Sequence, residues 1–255
     1  MTTWLQIAGA VCVRTWVKTA RRPVTLVFSF IQPVIWMLFF GFLFHRYQLD
    51  PAYPGVSYLE FLVPGICTMT VLFGASQSGV GLLRDIQTGF LYRMLESPAP
   101  RSAIIGGKLF ADIARLLLQA AAILGIGMLL GAKLTVTLGG AVACLFALAS
   151  IAMFFCGVSS FIAMKTKAQE GMATFVHLVN MPLIFTSSVL VPMKQMPGWL
   201  ARVAEFNPLT LVVDICRQAV LFGNAVPQVA SVAILAALAV FGFGLAVSAA
   251  SRRAN

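Results

Sequence analysis

Long apolar stretches alternate with short polar segments along the whole chain. An α-helix needs about 20 apolar residues to cross a bilayer, and six of the stretches approach or exceed that length. The pattern therefore predicts an all-α, polytopic membrane protein. Its six transmembrane helices are predicted at residues 24–44, 58–83, 109–130, 138–164, 172–191 and 229–250.

Three further segments differ from these spans. Residues 1–22 carry bases together with apolar side chains at helical spacing from Trp4 onwards, which predicts an amphipathic helix on the membrane surface. A plain, positively charged cytosolic tail is the alternative. Residues 84–101 form a polar connection, and residues 192–228 combine an apolar helical pattern with frequent charges. We expect 192–228 to be a re-entrant segment in the outer leaflet, so that the whole chain of 255 residues is one transmembrane domain.

The composition excludes several classes of protein. Hydrophobic residues make up 60% of the chain and charged residues 10%, whereas soluble domains are about 45–50% apolar and 25% charged. A soluble enzyme, a disordered chain and a disulfide scaffold are therefore excluded. The five cysteines lie far apart without a Cys-x-x-Cys pair, which indicates membrane-helix packing rather than a zinc site.

The formal net charge is +10, and its distribution predicts an orientation. Thirteen of the 18 Lys and Arg residues fall in loops on the side of the N-terminus, and five fall on the other side. Cytoplasmic loops are enriched in Lys and Arg. We therefore expect a membrane protein with both termini in the cytoplasm, in contact with lipid and without a nucleic-acid partner.

Signatures of enzyme chemistry do not match this sequence. Gly106-Gly107-Lys108-Leu109 lacks the earlier glycine and the Ser or Thr of a phosphate-binding loop. His45 and His177 lie in different parts of the chain, which argues against a multi-histidine metal site. We therefore expect no catalytic, cofactor-binding or metal-binding residue in this chain.

The connection at 84–101 contains one short amphipathic pattern. Phe90, Leu91, Met94 and Leu95 fall on one face of a helix, and Pro98 ends it because the residue before a proline is disfavoured in the α conformation. Such a helix is suited to docking into the groove of a partner protein. The alternative is a helix that lies on the lipid headgroups.

Four different groups of short motifs are spread along the chain. They are Gln32-Pro33 with Gly41; Phe61 to Ile66; Gly89-Phe90-Leu91, Arg93, Leu95, Ser97-Pro98, Arg101 and Gly107-Lys108; and Pro197 to Leu200 with Asn207 to Thr210, Asp214, Arg217 and Gly223. In this order they resemble the ABC-2 type exporter permeases, most closely the daunorubicin-resistance branch and relatives, such as Nod-factor exporters, that export lipid-linked or glycolipid molecules. Gln87 and Glu96 depart from the family's pattern, which bears on the choice of ATPase partner and not on the fold.

The resemblance implies the permease subunit of an ATP-driven exporter in the inner membrane of a bacterial cell. Two permeases, as a homodimer or with a related chain, would form the pathway for a drug, lipid, glycolipid or polysaccharide. Two cytosolic ABC ATPase subunits would bind ATP and Mg and drive transport. The resemblance assigns ATPase coupling to Asp85, Gly89, Phe90, Leu91, Arg93, Met94, Leu95, Ser97, Pro98 and Arg101.

Polar residues within the predicted spans are candidates for a pathway or a gate. Charges are costly in hydrocarbon and usually face protein or a cavity. Lys108, Asp112 and Arg115 follow at i, i+4 and i+7, which fits either a self-neutralising anchor or an inner gate. The other candidates are Ser76, Gln77, Thr174, His177 and Asn180. Each of these has helix packing as its alternative role.

The outer segment at 192–228 contains the last group of candidate site residues. Asp214 and Arg217 are spaced at i and i+3, and we expect them to pair and hold the segment at the interface rather than to contact substrate. Trp199, Asn207 and Pro208 belong to the motif that resembles the family's outer re-entrant segment.

Two other function classes remain open from the residues alone. A secondary transporter or channel would need no ATPase, but inverted repeats typical of many such transporters are not evident in the sequence. A non-transport membrane scaffold would use the helix near Phe90 to bind a partner without ATP turnover.

Overall fold

The fold is a bundle of α-helices. The computed structural model describes residues 4–21, 23–46, 49, 53–97, 99–166, 169–223 and 228–252. The helices are α1 (Trp4–Ala20), α2 (Pro23–Leu43), α3 (Tyr58–Gln87), α4 (Phe90–Leu95), α5 (Arg101–Leu129), α6 (Leu138–Thr166), α7 (Gln169–Phe185), α8 (Gly198–Glu205), α9 (Pro208–Leu221) and α10 (Val229–Arg252), with a 3-10 turn at Met193–Gln195. Every regular element in these ranges is helical, which confirms the predicted class.

Within the described ranges, four helices are long and apolar enough to cross a membrane, namely α3, α5, α6 and α10. The described apolar parts of the first and fifth predicted spans are shorter, at Val27–Leu43 and Val176–Phe185. The chain is thus a multi-pass membrane protein, and the number of six spans stays a prediction.

The fifth predicted span ends earlier than its hydropathy indicated. The helix α7 stops at Phe185 rather than at residue 191. At this end, Asn207 Nδ2 donates to the carbonyl of Leu183 at 2.7 Å. The carbonyl of Ile184 accepts from both the backbone N–H and the hydroxyl of Ser187, at 3.2 and 2.7 Å, which closes the last turn. Conversely, α5 begins at Arg101, well before the expected residue 109.

The helix α3 is the centre of the bundle. Ser57 and Glu60 form a reciprocal capping box that fixes its first turn. Glu60 Oε1 also accepts a hydrogen bond from the backbone N–H of Lys133 at 2.9 Å, which ties α3 to the connection between α5 and α6. Of the most apolar 18-residue stretch of α3, 83% is buried inside the chain itself.

Close helix crossings depend on small residues. A Cβ atom on Gly157 of α6 would approach the carbonyl oxygen of Gly242 in α10 to 2.1 Å, and a Cβ on Gly79 of α3 would approach Ser159 Oγ of α6 to 2.3 Å. Glycine at these crossings lets the helix backbones touch, as is common between membrane helices.

Two opposite ends of the bundle carry the candidate sites. At the first, which we call the α4 end, α1 and α4 meet the end of α3, the start of α5 and the end of α10. There α1 lies against α5, where Trp4 Nε1 donates to Ser102 Oγ at 3.1 Å. At the second, the α9 end, α8 and α9 meet the start of α3 and the end of α7.

Candidate functional site

The short helix α4 is placed by a glycine turn. Gly89 has φ +69°, a left-handed conformation that most other residues avoid, and it redirects the chain between α3 and α4. The helix then runs from Phe90 to Leu95, and Ser97 Oγ closes its end by donating to the carbonyl of Met94 at 2.6 Å. The predicted helix is present, while Pro98 lies outside the described residues.

The apolar face of α4 points into the bundle. Leu91 and Leu95 are buried in the same core cluster as residues of α3 and α5, and Met94 packs against that cluster. Tyr92, with 40% exposure, and Arg93 form the outer surface together with Glu96. The expectation that the apolar face docks into a partner is therefore wrong for the leucines, because the chain's own helices cover them.

A cluster of four side chains, which we call the α1 latch, joins α1 to α3 and α4. Lys18 Nζ contacts Asp85 Oδ1 at 2.5 Å, and Arg14 Nη2 lies 3.9 Å from the same oxygen. The guanidinium carbon of Arg14 lies 3.2 Å from the centroid of the Phe90 ring, a cation–π contact. Because of these contacts, a displacement of α4 would act directly on α1 and on the last turn of α3.

The sequence assigned Arg14 and Lys18 only to the count of cytoplasmic bases. Their i, i+4 spacing, which places both on one face of α1, was the available signal. The predicted coupling residue Arg101 has a different contact, since its Nη1 donates to the carbonyl of Ser251 at 3.0 Å and so ties α5 to α10.

The charged residues of α5 form a buried ion pair. Lys108 Nζ lies 2.7 Å from Asp112 Oδ2 and donates to the carbonyl and the hydroxyl of Ser78 at 3.1 and 2.9 Å. The Ser78 hydroxyl in turn donates to Asp112 Oδ2. The structure thus supplies a third member on α3 that the sequence did not identify, and Arg115 lies half-buried one turn further along α5.

The remaining pathway candidates separate into two groups. Ser76 Oγ donates to Asn180 Oδ1 at 3.0 Å, so this pair is buried between α3 and α7. Gln77, Thr174 and His177 are exposed on the surface of this chain. The role of both groups in a pathway or a gate stays a prediction.

In the outer segment, Asn207 and Pro208 build the start of α9. Asn207 Oδ1 accepts from the backbone N–H of Leu209 at 2.9 Å, and Pro208 occupies the first turn, where a missing N–H costs nothing. Trp199 on α8 is exposed. These contacts show how α9 is fixed against the end of α7.

Arg217 is the most deeply buried charged residue of this segment. Its Nε donates to the carbonyl of Phe61 at 3.2 Å and its Nη2 to the carbonyl of Val189 at 3.0 Å. The predicted partner Asp214 lies one turn earlier on the same face of α9, with its Oδ1 3.8 Å from Nη1 of Arg217. Arg217 therefore joins α9 to the start of α3, and the carboxylate of Asp214 is a second, more distant contact.

Burial changes the ionisation of this pair. Desolvation raises the pKa of the Asp214 carboxyl, although Arg217 and the Ser188 hydroxyl oppose that rise. Desolvation also lowers the pKa of the Arg217 guanidinium, to about 10, so Arg217 stays charged at neutral pH. Across the described part of the chain, no three His, Cys, Asp or Glu side chains come together as a possible metal site.

Comparisons with known proteins agree on one family. The family model described as "ABC-2 type transporter" matches residues 8–221. The putative transport permease ycf38 of Pyropia yezoensis is 30% identical over 217 residues, covering 84% of this chain and 73% of that protein. The corresponding ycf38 protein of Cyanophora paradoxa is 29% identical over 208 residues, covering 80% and 70%. The daunorubicin resistance ABC transporter permease protein DrrB1 of Streptomyces coeruleorubidus is 26% identical over 196 residues, covering 77% and 68%.

Proposed function

Because the chain belongs to the ABC-2 type transporter family, we propose that it forms the transmembrane pathway of an exporter that separate ATPase subunits drive. The chain is a membrane component of an ABC transporter, and permeases of this family work with ABC ATPase partners. The finer proposal is that two ATPase subunits bind ATP and Mg on the cytoplasmic side. A second permease, identical or related, completes the pathway.

The proposed cargo is hydrophobic or amphipathic. Relatives named for resistance to daunorubicin and to doxorubicin support a cargo of this class. The proposed location is a bacterial inner membrane, which the similarity to a Streptomyces permease supports. The balance of Lys and Arg supports an orientation with both termini in the cytoplasm. In that orientation, the α4 end faces the cytoplasm and the α9 end faces outwards.

The observation that carries the proposal is the architecture of the α4 end. The inner face of α4 is fixed by buried Leu91 and Leu95, while Tyr92 and Arg93 are exposed. Tyr and Arg are enriched at the energetic centres of protein interfaces. A partner that pushes on this outer face would act through Phe90 and the α1 latch on α1 and α3 together.

The test is reconstitution of the full chain with its ATPase in proteoliposomes. Arg93→Glu reverses one charge on the outer face of α4, and Arg202→Glu makes the same change at an exposed site on α8, at the opposite end. An interface centre of this type is worth 2 kcal/mol or more, so we expect Arg93→Glu to weaken ATPase binding about tenfold or more. Arg202→Glu should bind the ATPase normally.

Three outcomes decide the proposal. ATP-dependent transport that Arg93→Glu abolishes and Arg202→Glu preserves would support it. Transport by the chain without any ATPase, driven by a proton gradient, would instead identify a secondary transporter. Partner binding through α4 without ATP-dependent transport would identify a scaffold and contradict the proposal.

A further inference from the structure

We propose that the half of α3 nearer to the α4 end is the floor of a water-filled groove, which admits the polar head group of an amphipathic molecule. This α3 groove consists of the exposed residues Gln77, Gly81 and Arg84 of α3, with His177 of α7 beside them. The head-group part of the proposal rests on the proposed function, because it concerns the cargo. The presence of water in the groove does not depend on that function.

One face of α3 is covered in its first half and open in its second half. Four positions at intervals of seven residues, close to two helical turns, mark this face, namely Val63, Thr70, Gln77 and Arg84. The first two are buried, and the last two are exposed. Between the last two, Gly81 faces open space, because a Cβ atom there would meet no atom within 4 Å. The face therefore opens between Thr70 and Gln77 and stays open towards the α4 end.

The start of α2 explains where the face opens. Near the far end of α2, Gly41 packs so closely on Leu59 of α3 that a Cβ atom on the glycine would lie 2.9 Å from Leu59 Cδ1. The helix α2 begins at Pro23, 18 residues before Gly41, and Gln77 lies 18 residues after Leu59. Since both helices rise about 1.5 Å per residue in opposite directions, α2 begins at the level of Gln77. Beyond that level, α2 no longer covers α3.

The open part of the face lies at a depth where lipid tails are poor neighbours. The 30 residues of α3 correspond to about 45 Å, whereas the hydrocarbon core of a bilayer is about 30 Å thick. Gln77 lies ten residues, or about 15 Å, before the last residue of α3, which is inside the core when the excess length is shared between both ends. Hydrocarbon offers no hydrogen-bond partner to an amide, so water or a polar ligand is favoured there.

The helix α7 supplies a polar wall at the same level. The ring of His177 lies 6.5 Å from the ring of Phe73, one turn of α3 before Gln77. The buried hydrogen bond from Ser76 Oγ to Asn180 Oδ1, at 3.0 Å, holds the two helices together next to this point. The exposed imidazole of α7 therefore lies beside the exposed amide of α3.

The chemistry of the α3 groove differs from that of a lipid-facing surface. The large side chains that α10 exposes are apolar and include Ile234, Val240 and Phe241. In the groove, the amide of Gln77 and the imidazole of His177 are exposed instead, and both groups can donate and accept hydrogen bonds. They suit a head group that bears hydroxyl or amide groups, while the apolar part of the same molecule stays in the surrounding lipid.

The test measures water at single cysteines in the full chain, reconstituted in phosphatidylcholine liposomes without an ATPase. Cys12→Ala removes the one half-buried native thiol, since the other four are buried. A charged methanethiosulfonate reagent is supplied on both sides of the membrane, and it reacts with the thiolate, which forms in water. We expect Gln77→Cys and His177→Cys to react about tenfold faster, or more, than Val240→Cys. Val240 is the matched control, because it is 72% exposed and lies 12 residues before the end of α10.

Two additions sharpen the test. Thr70→Cys, on the covered half of the same face, should react no faster than the control. Head-group binding is measured as protection of Gln77→Cys. Dioleoyl-digalactosylglycerol, with a hydroxyl-rich head group, should slow the reaction about threefold or more, whereas dioleoylglycerol should leave it unchanged.

Each outcome identifies what occupies the groove. Fast reaction with protection supports the proposal, also where ATP-driven transport fails, so the two proposals are tested separately. Fast reaction that neither lipid slows overturns the head-group part and leaves the groove to water. Reaction no faster than that of Val240→Cys shows that lipid covers the face and overturns the whole proposal. A disulfide between the Gln77→Cys residues of two copies shows that a second copy covers the face, which also overturns it.

Discussion

Removal of one member of the buried ion pair on α5 tests whether this cluster is a structural anchor or a gate. In the wild type, Lys108 Nζ has three acceptors, namely Asp112 Oδ2 and both oxygens of Ser78. Both charged side chains are 11% exposed. The variant Lys108→Met removes all three hydrogen bonds and leaves the Asp112 carboxylate buried with only the Ser78 hydroxyl as donor.

The expected cost follows from this uncompensated charge. Breaking a buried ion pair by deleting one partner costs about 3–5 kcal/mol, whereas replacing both partners by apolar residues is often neutral. We therefore expect Lys108→Met and Asp112→Leu each to lose about 3–5 kcal/mol of unfolding free energy. The double variant should be more stable than either single variant, which is a strong departure from additivity.

Unfolding by SDS in mixed micelles measures these free energies, and Lys133→Met at an exposed site should change the value by no more than about 0.5 kcal/mol. ATP-driven transport is measured on the same variants. An anchor predicts that transport returns with stability in the double variant, and a gate predicts that it stays lost. The reasoning fails if Lys108→Met costs less than about 1 kcal/mol or if the double variant is the least stable of the three.

Two further predictions concern helix packing. Gly79→Ala should destabilise the contact between α3 and α6 by about 1–3 kcal/mol, because the new Cβ would lie 2.3 Å from the hydroxyl of Ser159. In the same unfolding assay, Gly81→Ala should be neutral or slightly stabilising, because a Cβ at that position has nothing within 4 Å. Oxidation with copper phenanthroline should link Cys144 of α6 to Cys216 of α9, since their sulfur atoms are 2.9 Å apart. Peptide mapping that finds both thiols free after oxidation, or finds other pairs instead, would show that α9 does not pack on α6 in this way.

Local patterns in the sequence were sufficient for several elements. The spacing of Phe90, Leu91, Met94 and Leu95 predicted a short helix, and the structure has a helix with those bounds. The long apolar runs located α3, α5, α6 and α10 to within a few residues, except at the start of α5. That start was placed late because Arg101 and the glycines that follow it are not apolar, and tertiary packing rather than hydropathy makes them helical.

Contacts between distant parts of the chain were beyond such patterns. The i, i+3 spacing of Asp214 and Arg217 predicted a pair, yet Arg217 also donates to the carbonyls of Phe61 and Val189, both closer than Asp214. Backbone carbonyls carry no signature in the sequence, so their pairing with a distant side chain is visible only in three dimensions. The same holds for Ser78, which joins Lys108 from another helix.

The two ends of the bundle are connected by a single helix. The helix α3 carries Asp85 of the α1 latch in its last turns and Phe61, the acceptor for Arg217, in its first turn. Its 30 residues correspond to about 45 Å. Because α3 is packed inside the chain along most of its length, it has little freedom to bend locally, and we expect it to shift as a unit. A partner that displaces α4 would then change the distance between α3 and α9, so the hydrogen bond from Arg217 Nε to the carbonyl of Phe61 would report movement at the opposite end.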